Sequence, residues 1–155
     1  MKTINNPAQQ RLFDPFQGVI GRIGWKHIEN GWQSHFRDVL LEQMPVQKVS
    51  VGMSDNEGRP SAELFAMVGL VLIRELYGWT VPETREAVLF RADIQYALNL
   101  EPGFDITQRT IERYLQRVQR DETISEELFA SITDTLLKSM EVKVKKQRLD
   151  STHVL

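Results

Sequence analysis

Four arginines, Arg109, Arg113, Arg117 and Arg120, carry the clearest chemistry in this chain. On a helix turning about 100° per residue they fall at ~0°, ~40°, ~80° and ~20° measured from Arg109. Ile111, Tyr114, Leu115 and Val118 fall between ~140° and ~240°, on the opposite face. A helix so divided can anchor one face in a core and turn guanidinium groups outward, where each can pair with a phosphate or fork onto guanine. Gln108, Arg109 and Thr110 lie in the first turn, where a recognition helix meets base edges; glutamine suits adenine and arginine suits guanine. A solvated surface helix would carry the same pattern, with arginine chosen for helix propensity and for pairing with Glu112 or the acidic segment beyond.

A second group sits near the end of the sequence. Lys143, Lys145, Lys146 and Arg148 form a basic strip suited to phosphates, and Asp150 follows it. A carboxylate on a rigid strand is a natural ligand for a hard cation such as Mg²⁺. A lone aspartate is also an ordinary strand-end turn residue. His153 has no partner placed to form a triad, and His27 and His35 show no metal-ligand spacing. The chain has no cysteine, which excludes disulfides, thiolate zinc sites and cysteine nucleophiles and fits a reducing compartment.

The elements that must position these groups follow from length and pattern. The 155 residues, 41% of them apolar, suffice for one real core. With 19 basic and 21 acidic residues the net charge is −2, so the chain is not a polycation and any nucleic-acid contact must be local. The charge is unevenly spread: positions 121–140 hold a single basic residue, Lys138, and the basic strip follows. The opening residues lack the apolar core of a signal peptide. The longest apolar run, Leu64 to Ile73, is well short of the roughly 18 residues of a membrane span. A soluble, cytoplasmic protein without membrane contact is expected.

Residues 1–58 read as an extended arm, rich in glycine (Gly18, Gly21, Gly24, Gly31), that packs onto a later core. Within it, Phe36, Val39 and Leu40 predict one short helix from Gln33 to Gln43, stopped by Pro45. Residues 59–140 read as the helical domain proper. Pro60-Ser61 opens a helix to Tyr77 that is apolar on nearly every side and ends at Gly78, so it should be central and buried. Thr80 and Glu83 form a capping box for a helix reaching Phe90. A short helix fits Asp93 to Leu100 with Ile94, Ala97 and Leu98 inward, broken by Pro102-Gly103. The arginine helix runs from Thr107 to Gln119. A second capping box, Thr123 with Glu126, starts a last helix whose stripe is Leu128, Phe129, Ile132, Leu136, Leu137 and Met140. From Glu141 the alternation of Val142 and Val144 with lysines predicts a β-strand. The expected fold is all-α, six or seven helices in a helix-turn-helix-like array with one terminal strand. The connection from Leu100 to Thr107 exceeds the ~3–4 residues of a standard helix-turn-helix turn.

Arg59-Pro-Ser61, Tyr77-Gly-Trp-Thr80, Gln95-Tyr-Ala-Leu98, Arg109-Thr-Ile111 and Arg148-Leu-Asp-Ser-Thr-His-Val154, in this order and spacing, give the chain a family likeness. It resembles the N-terminal part of bacterial insertion-sequence transposases of the DDE type, which join a helical DNA-binding domain to an RNase H-like catalytic domain. The resemblance implies double-stranded DNA, the terminal inverted repeats of a transposon, as partner. It also implies that residues 141–155 are the first catalytic strand and that Asp150 is the first acidic residue of the triad. In the complete parent enzyme two Mg²⁺ ions held by three carboxylates would activate water or a DNA 3′-hydroxyl. The sequence runs five residues past Asp150, so one carboxylate stands without the rest of that site, and DNA binding without cleavage is expected. The alternative is a non-catalytic helical interaction module, a homodimer or domesticated remnant, in which the last helix and the aromatic-rich arm meet a partner chain.

Overall fold

In the computed structural model residues 14–43, 64–119 and 122–141 are described, and they form an all-α fold. A 3-10 turn at Pro15–Gly18 precedes α1 (Arg22–Glu29), α2 (Trp32–Gln43), α3 (Leu64–Tyr77), α4 (Val81–Phe90), α5 (Ala92–Ala97), α6 (Gln108–Gln119) and α7 (Glu122–Ser139). The expected β-strand after Glu141 lies outside the described residues, as do the arm before Asp14 and the opening of the third helix at Pro60-Ser61.

The core is built around α3, because a helix that is apolar all round has no face to give to water. Every residue from Leu64 to Ile73 is buried. Phe36, Val39 and Leu40 of α2, Ala87 and Val88 of α4, Ile94 and Ala97 of α5, and Ile132 of α7 share this core. Close approach is made possible at Gly69, where an added Cβ would lie 2.8 Å from Leu40 Cδ1 and 2.9 Å from Leu98 Cδ2. No single helix among the described residues is long and apolar enough to cross a membrane.

Helix ends follow their local chemistry. Gly78, at φ +65°, ends α3; its N–H donates to Glu75 O at 3.3 Å and that of Trp79 to Arg74 O at 3.1 Å, the paired bonds of a Schellman motif. The expected capping box of α4 is present: Glu83 N–H donates to Thr80 Oγ1 at 3.4 Å, and Thr80 N–H donates to Glu83 Oε2 at 2.7 Å. The Thr80 hydroxyl, which donates to the same carboxylate oxygen at 2.7 Å, and after it the Thr80 N–H hold the Glu83 carboxyl below its usual range. α5 is shorter than expected and stops at Ala97, because Asn99 turns left-handed (φ +53°) and Leu100 N–H closes back on Gln95 O at 2.9 Å.

Two further expectations are corrected. The described part of the arm is not extended: α1 fills Arg22–Glu29 although Gly21 caps it and Gly24 lies inside it. Packing outweighs the roughly 1 kcal/mol that an internal glycine costs a helix, since Phe16, Ile28 and Tyr96 form a small buried cluster joined by Trp25 and Ile20. Phe16 and Trp25 meet the Tyr96 ring edge-on, with centroids at 5.8 and 5.6 Å. Thr123 is not the cap of the last helix, because α7 is already helical at Glu122 and a capping residue must have non-helical backbone. In the last stripe Ile132 is buried and Phe129 and Leu136 pack on the core, whereas Met140 is 41% exposed.

Candidate nucleic-acid interface

The arginine helix is α6, and its place in the fold is set by the loop before it. Residues 98–107 connect α5 to α6, and they are tied down at three points. Leu100 and Ile106 are buried. Pro102 and Gly103 (φ +80°) turn the chain with Phe104 N–H donating to Glu101 O at 3.1 Å, as in a turn with proline second and glycine third. Arg85 of α4 donates from Nε to Ile106 O at 3.1 Å.

Gln95 is the buried polar link in this arrangement. Its Nε2 donates to Val88 O at 2.7 Å, one of the carbonyls that the end of α4 leaves without an intrahelical partner. Its Oε1 accepts from Gly103 N–H at 3.4 Å. One amide thus closes α4 and holds the loop that delivers α6. Thr107 then caps α6, its Oγ1 accepting from Thr110 N–H at 3.2 Å.

α6 packs against α3, α4 and α7. Ile111, Tyr114, Leu115 and Val118 are buried, and Arg109, Glu112, Arg113 and Gln116 are exposed. The two-faced arrangement read from the sequence is therefore the one the fold adopts. Arg113 lies near the Tyr114 ring, its guanidinium carbon 5.9 Å from the centroid. Arg117 is half-buried at the edge of the face and engaged within the protein. Gln108 is exposed and donates from Nε2 to Glu112 Oε1 at 3.0 Å, one turn along. Thr110 is half-buried and its hydroxyl hydrogen-bonds that of Thr107 at 2.9 Å.

Arg120, Lys143, Lys145, Lys146, Arg148 and Asp150 lie outside the described residues. Among the described residues no group of three or more histidines, aspartates or glutamates is placed to hold a metal ion, and no step through Mg²⁺ follows from them.

The fold also contains a sharper helix pair that sequence reading did not single out. The axes of α3 and α4 turn by 116° across Gly78, Trp79 and Thr80, within the angular range of helix-turn-helix pairs. Its second helix exposes Glu83 and Glu86, a surface that phosphates would repel. The α6 face, with three arginines against one glutamate, is a described helix surface with the chemistry of an anion-binding element. The partners that position it, Arg85, Gln95 and Thr107, leave only one local signal in the sequence, the threonine at a helix start.

Compared with models of known families, with curated proteins and with solved structures, the chain matches none.

Proposed function

We propose that the chain binds double-stranded DNA through the open face of α6, as the N-terminal, DNA-recognising part of a DDE-type transposase that finds the transposon ends. The observation that carries this reading is the clean division of α6. Its apolar side is locked into the core by Ile111, Tyr114, Leu115 and Val118, while Arg109 and Arg113 stand exposed one turn apart on the other side. Guanidinium groups on a helix so anchored meet phosphates and guanine edges without any rearrangement of the fold. The resemblance in Arg109-Thr-Ile111 and in the segment around Asp150 gives the transposase part of the proposal.

A mobility-shift titration of the full chain on random-sequence duplexes at low salt tests the binding. Wild type should retard the duplex, and Arg109→Ala with Arg113→Ala should weaken it at least tenfold. Equal retardation by the two proteins would remove α6 from the interface.

The second reading is a helical interaction module. Phe90, 81% exposed at the end of α4, and Leu76, 64% exposed near the end of α3, favour it. A dimer in light scattering together with no DNA retardation at low salt is its expected signature.

A further inference from the structure

The open face of α6 is not uniform. Measured from Arg109 at about 100° per residue, Arg113 and Arg117 lie at ~40° and ~80°, and Gln116, Glu112, Gln119 and Gln108 lie at ~340°, ~300°, ~280° and ~260°. One side of the face is therefore cationic and the other is an amide and carboxylate strip with no positive charge. Arg109 stands on the seam. All four residues of the neutral and acidic strip are exposed, and its upper end is ordered by the 3.0 Å hydrogen bond from Gln108 Nε2 to Glu112 Oε1.

A duplex meets the two sides differently. A carboxylate set against the phosphate backbone meets like charge with no donor to satisfy it, so the Glu112 side is excluded from the backbone. In the major groove a carboxylate finds donors in one kind of group, the base amino groups, N4 of cytosine and N6 of adenine. Glutamine there finds adenine, whose N6 donor and N7 acceptor match its two ends. The hydrogen bond from Gln108 supports the same orientation: it takes up a lone pair on one Glu112 oxygen, and the second oxygen remains to accept from a base. Arg113 is then left on the side where phosphates lie.

We infer that α6 reads sequence with its Gln108–Glu112–Gln116 strip and holds the backbone with its arginine side, and that Glu112 selects a base bearing a major-groove amino group, cytosine or adenine. This rests on the DNA-binding reading above and adds to it the base class and the residue that chooses it.

The experiment is selection from a random-sequence duplex library by the full chain, followed by affinity measurements on the selected site and on copies mutated one position at a time. Wild type should enrich a site with cytosine or adenine at one fixed position. Glu112→Gln should lose about tenfold of the discrimination at that position, the lower end of what one base contact supplies, while the slope of affinity against salt is unchanged. Arg113→Ala should weaken all sequences alike and reduce that slope by about one. The inference is overturned if Glu112→Gln changes affinity equally for every sequence, or if Arg113→Ala, rather than Glu112→Gln, relaxes one position of the site. Binding by wild type with no preference at any position also overturns the inference but leaves DNA binding standing. No binding by wild type at low salt removes the DNA-binding reading itself. Because Glu112 is exposed, an unchanged circular dichroism spectrum is expected for Glu112→Gln, and it separates lost recognition from lost folding.

Discussion

Two residues show how polar groups hold this fold in place, and each makes a prediction. Gln95 is 4% exposed and spends both ends of its amide on backbone, Val88 O and Gly103 N–H. Gln95→Leu fills similar space but leaves a buried carbonyl and an N–H without partners, at a cost of about 1–3 kcal/mol for such a group. Urea denaturation should show a loss of about 2 kcal/mol, and Gln95→Leu should bind DNA more weakly because the loop before α6 loosens.

Asp93 is the second residue. Burial opposes its ionisation most, yet the hydrogen bond and charge of Arg91, with the Gln33 amide and the Ile94 N–H, outweigh burial and hold its carboxyl below the usual range. Arg91 Nη2 lies 2.8 Å from Asp93 Oδ2, and its guanidinium also sits 5.4 Å from the Trp79 ring, which stacks on Tyr77. A depressed carboxyl takes up its proton at lower pH in the folded than in the unfolded chain. Its contribution is therefore complete above the unfolded value, about 3.9, and is lost as pH falls through the folded one. Wild type should lose thermal stability on acidification through this range more steeply than Arg91→Ala. An equal slope in the two proteins would contradict the pairing. At neutral pH, Arg91→Ala should cost no more than about 1 kcal/mol, since the pair is partly exposed.

At the scale of elements, the tightest constraint is the approach of α3 to α2 and α5 at Gly69. Gly69→Val would drive side-chain carbons into Leu40 and Leu98, both fully buried, and overpacking of this kind costs about 1–3 kcal/mol. A drop in Tm of several degrees is expected, and Gly78→Ala, at φ +65° with open space around its Cβ, should lose stability through backbone strain instead. How much of this was legible in the sequence depended on range. The all-round apolar run of α3, the Thr80–Glu83 box and the two faces of α6 are local patterns, and each is present in the structure. α1 was hidden because its glycines outweigh its propensity, and what stabilises it is Tyr96, far along the chain. The i, i+3 spacing of Trp25 and Ile28 was the available signal. The ties that aim α6, from Arg85 and Gln95, are long-range hydrogen bonds from ordinary helix residues, so no local pattern announces them.

For the whole molecule, one cation of α2 ties the 3-10 turn to α5 and the loop after it. Arg37 Nη1 lies 2.6 Å from Asp14 Oδ2, its Nε donates to Asn99 Oδ1 at 3.1 Å, and its guanidinium carbon lies 4.5 Å over the Tyr96 ring. Asp14 also accepts from Phe16 N–H at 3.0 Å, so the same carboxylate starts the 3-10 turn. Arg37→Ala should leave Asp14 half-enclosed without its charge partner and cost about 2 kcal/mol, with faster proteolysis around α1 than in wild type. Charge is arranged on the same scale. With a net charge of −2, the proposed DNA binding rests on a local cationic surface, and its salt dependence counts the phosphates that this surface contacts.

That dependence gives the most direct test of the central claim. Fluorescence anisotropy of a labelled duplex, titrated with wild type and with the Arg109→Ala, Arg113→Ala double variant over a series of salt concentrations, yields the slope of log affinity against log salt. The account predicts a steep slope for wild type, and for the variant a weaker affinity with a slope shallower by about two, one for each lost phosphate contact. Equal affinity and equal slope for the two proteins, or no binding by wild type at the lowest salt, would contradict it.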